Sequence, residues 1–422
     1  MLLKLKLSKI LEWGIYLLVF LLPWQTRWMY QLASLNSGYW EYGSNSLYGT
    51  QILLYLLVVL FFIYLKKNKI RPQKTVLDWL LVGLVVWSLL ASAWALDWNI
   101  AIYHWVILVS GFLLYFLLRH GPVNRMKVMI SLVAAGAVQG GLALYQFLSQ
   151  GIVGSKWLGL ASQSAQDLGV LVVEYGDQRW LRAYGSLPHP NMLAAFLLVG
   201  LICALGLSFL AHNRWQRLLV TGSWLLMLGG LLFTFSRVAW LVLGMSYVVC
   251  GMWLLVKRVR SIFTWQLLMA GAVLVVLLSA IFWQPISSRV LSQGRLDSQS
   301  YQSHVDLTAQ SFTVLKSHWL SGVGLGNYTV AAYRELDSSR PVWAYQPVHN
   351  VFLLVWAELG IVGLALYVLG MGYVVCGRRG GLVGKVALIA LLLLGLFDHF
   401  LWSLYFGVML WWVVMSLAVP QE

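Results

Sequence analysis

The 422-residue chain has few charged side chains, and few of those are acidic. Asp and Glu total 14 against 29 Lys and Arg, and charged residues of both signs make up 10% of the sequence. Hydrophobic residues make up 60%, which leaves too little polar surface to cover a water-soluble globule of this length. The composition therefore excludes a soluble protein and predicts one with many membrane-spanning helices.

Cysteine is also scarce. The three cysteines are Cys203, Cys250 and Cys376, which lie far apart and form no CxxC pair. This spacing indicates neither a disulfide framework nor a cysteine metal site. No DxD-like pair or His/Asp cluster in the sequence suggests a metal, so we expect neither a metal nor a cofactor.

Long apolar runs dominate the chain. A bilayer span needs roughly 20 mainly apolar residues and must pair its own backbone, so each such run predicts a helix. About twelve runs reach this length, near residues 10–28, 46–65, 76–95, 100–118, 127–149, 189–210, 217–235, 238–256, 264–284, 349–374, 383–398 and 400–418. We predict an all-α polytopic membrane protein, a single integral membrane domain over residues 1–422.

The net charge of +15 follows the predicted membrane topology. Lys4, Lys6 and Lys9 precede the first run, which places the N-terminus in the cytoplasm by the positive-inside rule. Twelve spans then return the C-terminus to the cytoplasm and put nineteen of the 29 basic residues inside. The basic charge is suited to anionic lipid, so we expect the bilayer and not a nucleic acid as its partner.

Two long segments face outward in this topology, and every other connection is short. They are residues 150–188 and residues 285–348, the latter between the ninth and tenth spans; loops of this length are usually functional. The second loop contains a predicted amphipathic helix, whose apolar stripe is Tyr301, Val305, Thr308, Phe312, Leu315 and Trp319. That helix either covers the helix bundle or lies at the membrane interface beside a lipid-linked substrate.

A glycine-rich stretch, "SGVGLGNY", follows this helix at residues 321–328. No strand precedes its GxGxG pattern, which excludes a dinucleotide-binding fold. A tight turn or a backbone nest for an anion remains.

Several arginines lie near the outer ends of spans, against the positive-inside bias. Arg237 stands between the seventh and eighth spans, Arg289 and Arg295 begin the large outer loop, and Arg182 ends the first one. A guanidinium group pairs phosphate oxygens two at a time, so the four could surround a diphosphate. Alternatively, Arg237 reaches the interface and binds carbonyl groups, and Asp297 pairs with one of the two loop arginines.

His349 stands at the outer end of the tenth span and has the chemistry of a general base. A histidine with an ordinary pKa of about 6.5 takes a proton from a hydroxyl at neutral pH. Asn350 instead suggests that this segment only caps a helix. Asp398, beside His399, would orient His349 or a substrate hydroxyl, and Glu358 lies deeper in the span as a packed, hydrogen-bonded or protonated group.

The segment "LPHPN" stands immediately before the sixth span. Pro188 and Pro190 bracket His189, and Asn191 is a favoured helix-cap residue. A rigid transition from loop to helix and a substrate contact by His189 are both consistent with this pattern.

Taken in order, "GSLPHPNMLAAFLL", "FTFSRVAWL", "GRLDSQSYQ", "GVGLGNY" and "PVHNVFLLVWAELGIVGL" resemble the O-antigen ligase and polymerase superfamily of membrane glycosyltransferases. The resemblance covers roughly residues 182–402. It implies that His349 is the catalytic histidine and that Arg237, with Arg289 or Arg295, holds a diphosphate. Val238 stands where the family usually has glycine.

The resemblance also implies a reaction. Such proteins take a glycan from undecaprenyl diphosphate at the outer face of the bacterial cytoplasmic membrane and join it to a hydroxyl of an acceptor glycolipid or glycan, without a metal. The alternatives are a polymerase that extends the lipid-linked glycan, a transporter, and a scaffold subunit. A transporter is expected to have ionisable groups near mid-membrane and broken helices in repeated halves.

Overall fold

The computed structural model describes residues 2–257, 261–292 and 294–420. Its contacts divide the chain into two compact units. The first unit comprises residues 1–15, 27–123 and 302–422, and the second comprises residues 16–26 and 124–301.

Helices make up most of both units. The α-helices of the described residues are Leu2–Leu21, Gly49–Asn68, Val76–Ala91, Trp98–His120, Arg125–Ser149, Pro190–Ser208, Arg214–Leu232, Arg237–Val256, Ile262–Ile281, Trp283–Leu291, Arg295–His318, Tyr328–Ala331, Val351–Cys376, Leu382–Gly395, Phe400–Ser403 and Tyr405–Ala418. The strands are two to five residues long and pair as antiparallel two-stranded sheets. They are Arg27–Gln31, Ser34–Leu35, Gly38–Tyr39, Asn45–Tyr48, Gly151–Ile152, Gln163–Ser164, Val172–Tyr175 and Gln178–Leu181.

Each of the twelve predicted runs overlaps one of these helices, but the count of twelve spans is not confirmed. Among the described residues, eight helices are long and apolar enough to cross a membrane. The helices Leu382–Gly395 and Tyr405–Ala418 are apolar but shorter. At 14 residues each they reach about 21 Å, less than the roughly 30 Å of a bilayer core. The protein is a polytopic, mainly helical membrane protein.

Small residues let helices approach closely in each unit. In the first unit, a Cβ on Gly111 would lie 2.0 Å from the Trp412 ring, so the helix Trp98–His120 packs directly on the helix Tyr405–Ala418. In the second unit, a Cβ on Gly140 would lie 2.5 Å from the carbonyl oxygen of Leu226. Close backbone approach at small residues is a usual basis of helix association in membranes.

The first unit contains an ordered segment that the sequence did not predict. The first helix ends at Leu21, before the predicted end at residue 28, and residues 27–48 form two antiparallel hairpins. Arg27 faces Tyr48 across the longer hairpin, and Trp40 is buried against Ile100. The prediction of a short connection between the first two spans is therefore wrong.

The first predicted outer loop, residues 150–188, lies in the second unit and has a small core of its own. Two antiparallel hairpins pair Gly151–Ile152 with Gln163–Ser164 and Val172–Tyr175 with Gln178–Leu181. Ile152, Val172, Leu181 and Tyr184 pack together beneath them. The loop is thus held in shape by its own apolar contacts.

The predicted amphipathic helix is present as Arg295–His318, but its buried face differs from the predicted stripe. Tyr301, Val305 and Phe312 are exposed. The buried positions are Leu307, Ser311, Val314 and Leu315, which lie on a neighbouring face. Of the predicted apolar stripe, only Leu315 is buried. The helix therefore packs on a different face from the one that its apolar pattern predicts.

Candidate active site

Three arginines of the second unit meet at one tight turn, residues 234–237, between the helices Arg214–Leu232 and Arg237–Val256. Arg182 donates from Nε to the carbonyl oxygen of Thr234 at 2.7 Å. Arg289 donates from Nε to the next carbonyl, that of Phe235, at 2.9 Å. Arg237 is itself the first residue of the following helix. The turn therefore gathers guanidinium groups from three distant parts of the chain.

The turn requires an unusual backbone at Phe235. Its φ of 52° is left-handed, a conformation that residues other than glycine rarely adopt. The Phe235 ring is completely buried and contacts Phe147 and Phe233. This aromatic packing holds the backbone in the conformation that presents two successive carbonyl groups to two arginines.

Asp297 supplies negative charge to this cluster. Its carboxylate pairs with Arg289 and lies 3.6 Å from Nη2 of Arg237. The Asp297 side chain is 5% exposed, whereas that of Arg237 is 38% exposed. Two guanidinium groups thus share one carboxylate, and the more exposed of them also donates to the hydroxyl of Ser292. The group keeps an excess of positive charge.

The electrostatics of Arg289 show the same excess. Burial lowers the pKa of Arg289, and the charge of Arg237 lowers it further, while Asp297 opposes both effects. Ser236 makes no side-chain cap to the helix that follows, so the first N–H groups of that helix add partial positive charge. Positive charge and helix N–H groups together suit a phosphate-type anion.

The other predicted basic and capping residues of this unit have partners of their own. Arg295 is 70% exposed and lies 3.5 Å from Glu174. Of the two loop arginines that could pair with Asp297, Arg289 is therefore the one that does so. Arg182 is buried and also donates to the Asn191 side chain at 2.9 Å.

The transition into the helix Pro190–Ser208 differs from the predicted one in its cap. The cap is His189, whose Nδ1 accepts a hydrogen bond from the Asn191 N–H at 3.0 Å. The sequence favours Asn191 as the cap, but the Asn191 side chain instead accepts from Arg182.

A second polar cluster, centred on His349, lies in the first unit. Nδ1 of His349 is 3.9 Å from Oδ1 of Asp398. The ring of His399 is 5.0 Å away, centroid to centroid, and the ring of His304 is 4.3 Å away. We call His349, Asp398, His399 and His304 the histidine cluster. The predicted proximity of Asp398 and His349 is present, and the two further histidines were not predicted as neighbours.

His349 is held in its neutral form. Burial lowers its pKa to about 4, the charge of His399 lowers it in the same direction, and Asp398 raises it. A neutral imidazole has a free ring nitrogen that accepts a proton. The nearby carboxylate would stabilise the imidazolium that such a transfer forms.

Asn350 has the structural role expected of a cap. Its side chain accepts from the N–H groups of Phe352 and Leu353 and donates to the carbonyl of Leu396. It thereby fixes the start of the helix Val351–Cys376 directly after His349. The cap and a chemical role for His349 are compatible, because the capping group is the neighbouring side chain.

Glu358 lies in a break of this helix and is fully paired. The helix is interrupted at Gly360, which has φ 67° and ψ −171°. The Glu358 carboxylate accepts from the backbone N–H groups of Gly326 and Tyr328 and from the Trp402 indole at 2.8 Å. The glycine-rich turn is therefore a backbone nest, and the carboxyl group of Glu358 occupies it.

A pocket beside the histidine cluster was missed in the sequence. It is lined by Arg27, Glu41, Tyr42, Tyr103 and Ser403, among others. Arg27 and Glu41 form a two-pronged ion pair, with distances of 2.6 and 3.2 Å. Tyr42 contacts the His399 ring. The sequence signal for this pocket is the density of aromatic residues in 27–48, which is equally typical of interfacial anchors.

Comparison with known proteins bears on both clusters. Residues 222–368 match a family model described as O-antigen ligase. The matched segment includes Arg237, Arg289, Arg295 and His349. A search of curated proteins finds an O-antigen ligase of Salmonella typhimurium (strain LT2) that is 24% identical over 165 residues, 37% of this chain and 39% of that protein.

The helices define a multi-pass membrane protein with buried polar clusters. The predicted resemblance to the O-antigen ligase superfamily is confirmed by the family match and by the Salmonella relative. The match spans about two fifths of that relative.

Proposed function

We propose that the protein transfers a glycan from undecaprenyl diphosphate to a hydroxyl of an acceptor glycolipid or glycan. The observation that carries this proposal is the turn at 234–237, which gathers Arg182, Arg237 and Arg289. The turn lies inside the segment 222–368 that matches the O-antigen ligase model. The transfer takes place on the outer face of the bacterial cytoplasmic membrane, and both chain termini are cytoplasmic.

The arginines bind the diphosphate of the donor. Arg237 is the principal contact, because its guanidinium is the most exposed of those paired with Asp297. Arg289 adds charge from a fixed position, since Phe235 anchors its Nε. Arg182 supports the turn from its buried side, and Arg295, which is more exposed, is the outer and weaker contact.

His349 is the general base. The acceptor oxygen attacks the anomeric carbon, and the bond from that carbon to the diphosphate oxygen breaks. The hydroxyl proton passes to the His349 imidazole, while the electron pair leaves with the diphosphate. The arginines offset the negative charge that develops on the leaving group, which is the task that a divalent ion performs in other transferases.

Glu358 supports this reaction over transport. A membrane carboxylate beside a broken helix is typical of a substrate or ion pathway in transporters. Here the three donors around Glu358 come from Gly326, Tyr328 and Trp402, so its carboxylate is occupied by the protein itself. The break is likewise filled, because Gly324 donates to the Glu358 carbonyl and Ile361 donates to that of Trp319.

The test is to incubate purified protein with a polyprenyl-diphosphate glycan, candidate acceptors and EDTA, and to identify the product. Transfer to a lipid or glycan acceptor that persists in EDTA supports a metal-independent ligase. Extension of the lipid-linked glycan means a polymerase. Absence of either product with every acceptor contradicts the proposal.

Two substitutions assign the residue roles. Arg237→Lys should raise the donor KM by roughly tenfold or more, because a point charge loses the two-pronged contact. Its matched control is Arg340→Lys, since Arg340 pairs with Asp337 on the surface. His349→Ala should abolish transfer at an unchanged protein level. Retained transfer would exclude His349 as the base.

A further inference from the structure

The histidine cluster contains the ligand set of a transition-metal ion. One ligand atom each from His349, Asp398 and His399 lies within 4.8 Å of the others. Two nitrogens and one carboxylate oxygen are the donors that zinc and cobalt prefer. Ligands of a tetrahedral ion with bonds of about 2.0–2.1 Å lie roughly 3.3 Å apart. The 3.9 Å between Nδ1 of His349 and Oδ1 of Asp398 must close by about 0.6 Å, and a ligand pair at the 4.8 Å limit would have to close by about 1.5 Å.

The His349 nitrogen that points at this space has no competing partner. Its Nδ1 is buried, and within the described residues it makes no hydrogen bond. Buried polar atoms are nearly always paired, so an orphaned imidazole nitrogen opposite a carboxylate indicates a missing ligand.

His399 is oriented by its own neighbour. The Ser403 hydroxyl donates to the His399 carbonyl at 3.1 Å, and its oxygen lies 2.6 Å from His399 Nδ1. In the tautomer in which the hydroxyl proton goes to the carbonyl, the serine oxygen accepts from Nδ1–H of His399. Nε2 of His399 then carries the lone pair that a metal needs. Metal-ligating histidines are generally fixed in this way through their other nitrogen.

Asp398 is positioned as well. Its Oδ1 accepts the backbone N–H of His399 at 2.8 Å, which fixes the carboxylate on the side facing His349. His304 lies against the His349 ring from another helix. The cluster therefore presents fixed donors from the segment before one helix and from the start of the short helix Phe400–Ser403.

We propose that His349, Asp398 and His399 bind one divalent transition-metal ion of the zinc type, and that the bound ion inhibits the protein. Binding depends on the cluster alone. Inhibition rests on the proposed function, in which His349 is the base. A neutral imidazole has one ring lone pair, so a metal bond to that nitrogen removes the group that would accept the hydroxyl proton.

The binding test uses the full chain, purified without a histidine tag, and Co²⁺ alone. We expect a visible d–d absorption that saturates at one equivalent and is displaced by Zn²⁺. His399→Ala and Asp398→Asn should each weaken Co²⁺ binding by roughly 10-fold to 100-fold. The matched control is His318→Ala, because His318 is a more exposed histidine that pairs with Glu335, and it should leave binding unchanged.

The outcomes separate the two parts of the proposal. No saturable absorption with the wild-type chain, or equal binding by His399→Ala and wild type, overturns the site. A thermal melt of each variant without metal shows whether it is folded, and a variant that fails this check is replaced by His399→Gln. Zn²⁺ should stop glycan transfer reversibly, with recovery in EDTA. Binding without inhibition overturns the inhibitory role, whereas binding by a chain that transfers no glycan contradicts the proposed function alone.

Discussion

Replacement of Asp297 by asparagine tests the arginine cluster most directly. The substitution removes the carboxylate that Arg289 and Arg237 share but keeps the shape of the side chain. Two guanidinium groups then face each other without the anion between them. We expect the protein to become less stable and its affinity for phosphate-type anions to rise.

The magnitude follows from the burial of each partner. The side chains of Arg289 and Asp297 are 13% and 5% exposed, and breaking a buried ion pair by removing one partner costs about 3–5 kcal/mol. Arg237 is 38% exposed, so its share is small, at most about 1 kcal/mol. We therefore expect a loss of about 3–5 kcal/mol, most of it from the Arg289 pair. For a unit of this size that corresponds to roughly 6–20 °C in melting temperature.

The assay is thermal unfolding of the purified protein in detergent, with and without inorganic pyrophosphate. Pyrophosphate should stabilise Asp297→Asn more than wild type, since it replaces the lost charge. The matched control is Asp306→Asn on the same helix, because Asp306 is exposed and, within the described residues, its side chain pairs only with Gln302. Equal melting temperatures for Asp297→Asn and this control would refute the reasoning.

The remaining predictions concern the histidine cluster and the broken helix. Because the pKa of His349 is lowered to about 4, the acid limb of the pH profile of kcat/KM for glycan transfer should lie near pH 4. Asp398→Asn should move this limb to a still lower pH, since the Asp398 carboxylate raises the pKa of His349. Between about pH 6.5 and 4, His349 binds fewer protons in the folded protein than in the unfolded chain. This group should therefore lower the free energy of unfolding as the pH falls through that range, which thermal melts at a series of pH values would detect. Gly360→Ala should prevent stable folding, because its φ is positive and its Cβ would lie 2.0 Å from the Leu320 carbonyl oxygen. Gly372→Ala on the same helix meets no atom within 4 Å and should melt at or slightly above the wild-type temperature.

The helices could be predicted because their signal is local. An apolar run of about 20 residues in a chain this poor in charge has few alternatives to a helix, and every predicted run overlaps one. The prediction for the first helix ran too far because the aromatic residues Trp24 and Trp28 extend the apolar run past Leu21, where the helix ends. Aromatic residues suit strands as well as interfaces, so the hairpins of 27–48 had no distinct signal.

The arrangement inside each cluster could not be predicted, since it depends on contacts between distant residues. Arg182, Phe235 and Arg289 are separated by more than fifty positions each, and nothing in their spacing indicates a shared turn. His349 and Asp398 could be proposed as partners because both stand at span ends. The environment of Glu358 could be predicted only in part. The sequence indicated that the glycine-rich turn could form a backbone nest, but it did not indicate that Glu358 occupies that nest.

The break at Gly360 has a consequence for synthesis. Ile361 donates to the carbonyl of Trp319, and Val323 donates to that of Ala357, so the glycine-rich turn and the broken helix pair each other's backbone. Ile361 follows Trp319 by 42 residues. At about 5–20 residues per second, the ribosome completes the partner roughly 2–8 seconds after the turn has emerged. During that interval the N–H groups of Val323 and Gly324 have not yet met the carbonyl groups of Ala357 and Glu358 that pair them in the folded protein.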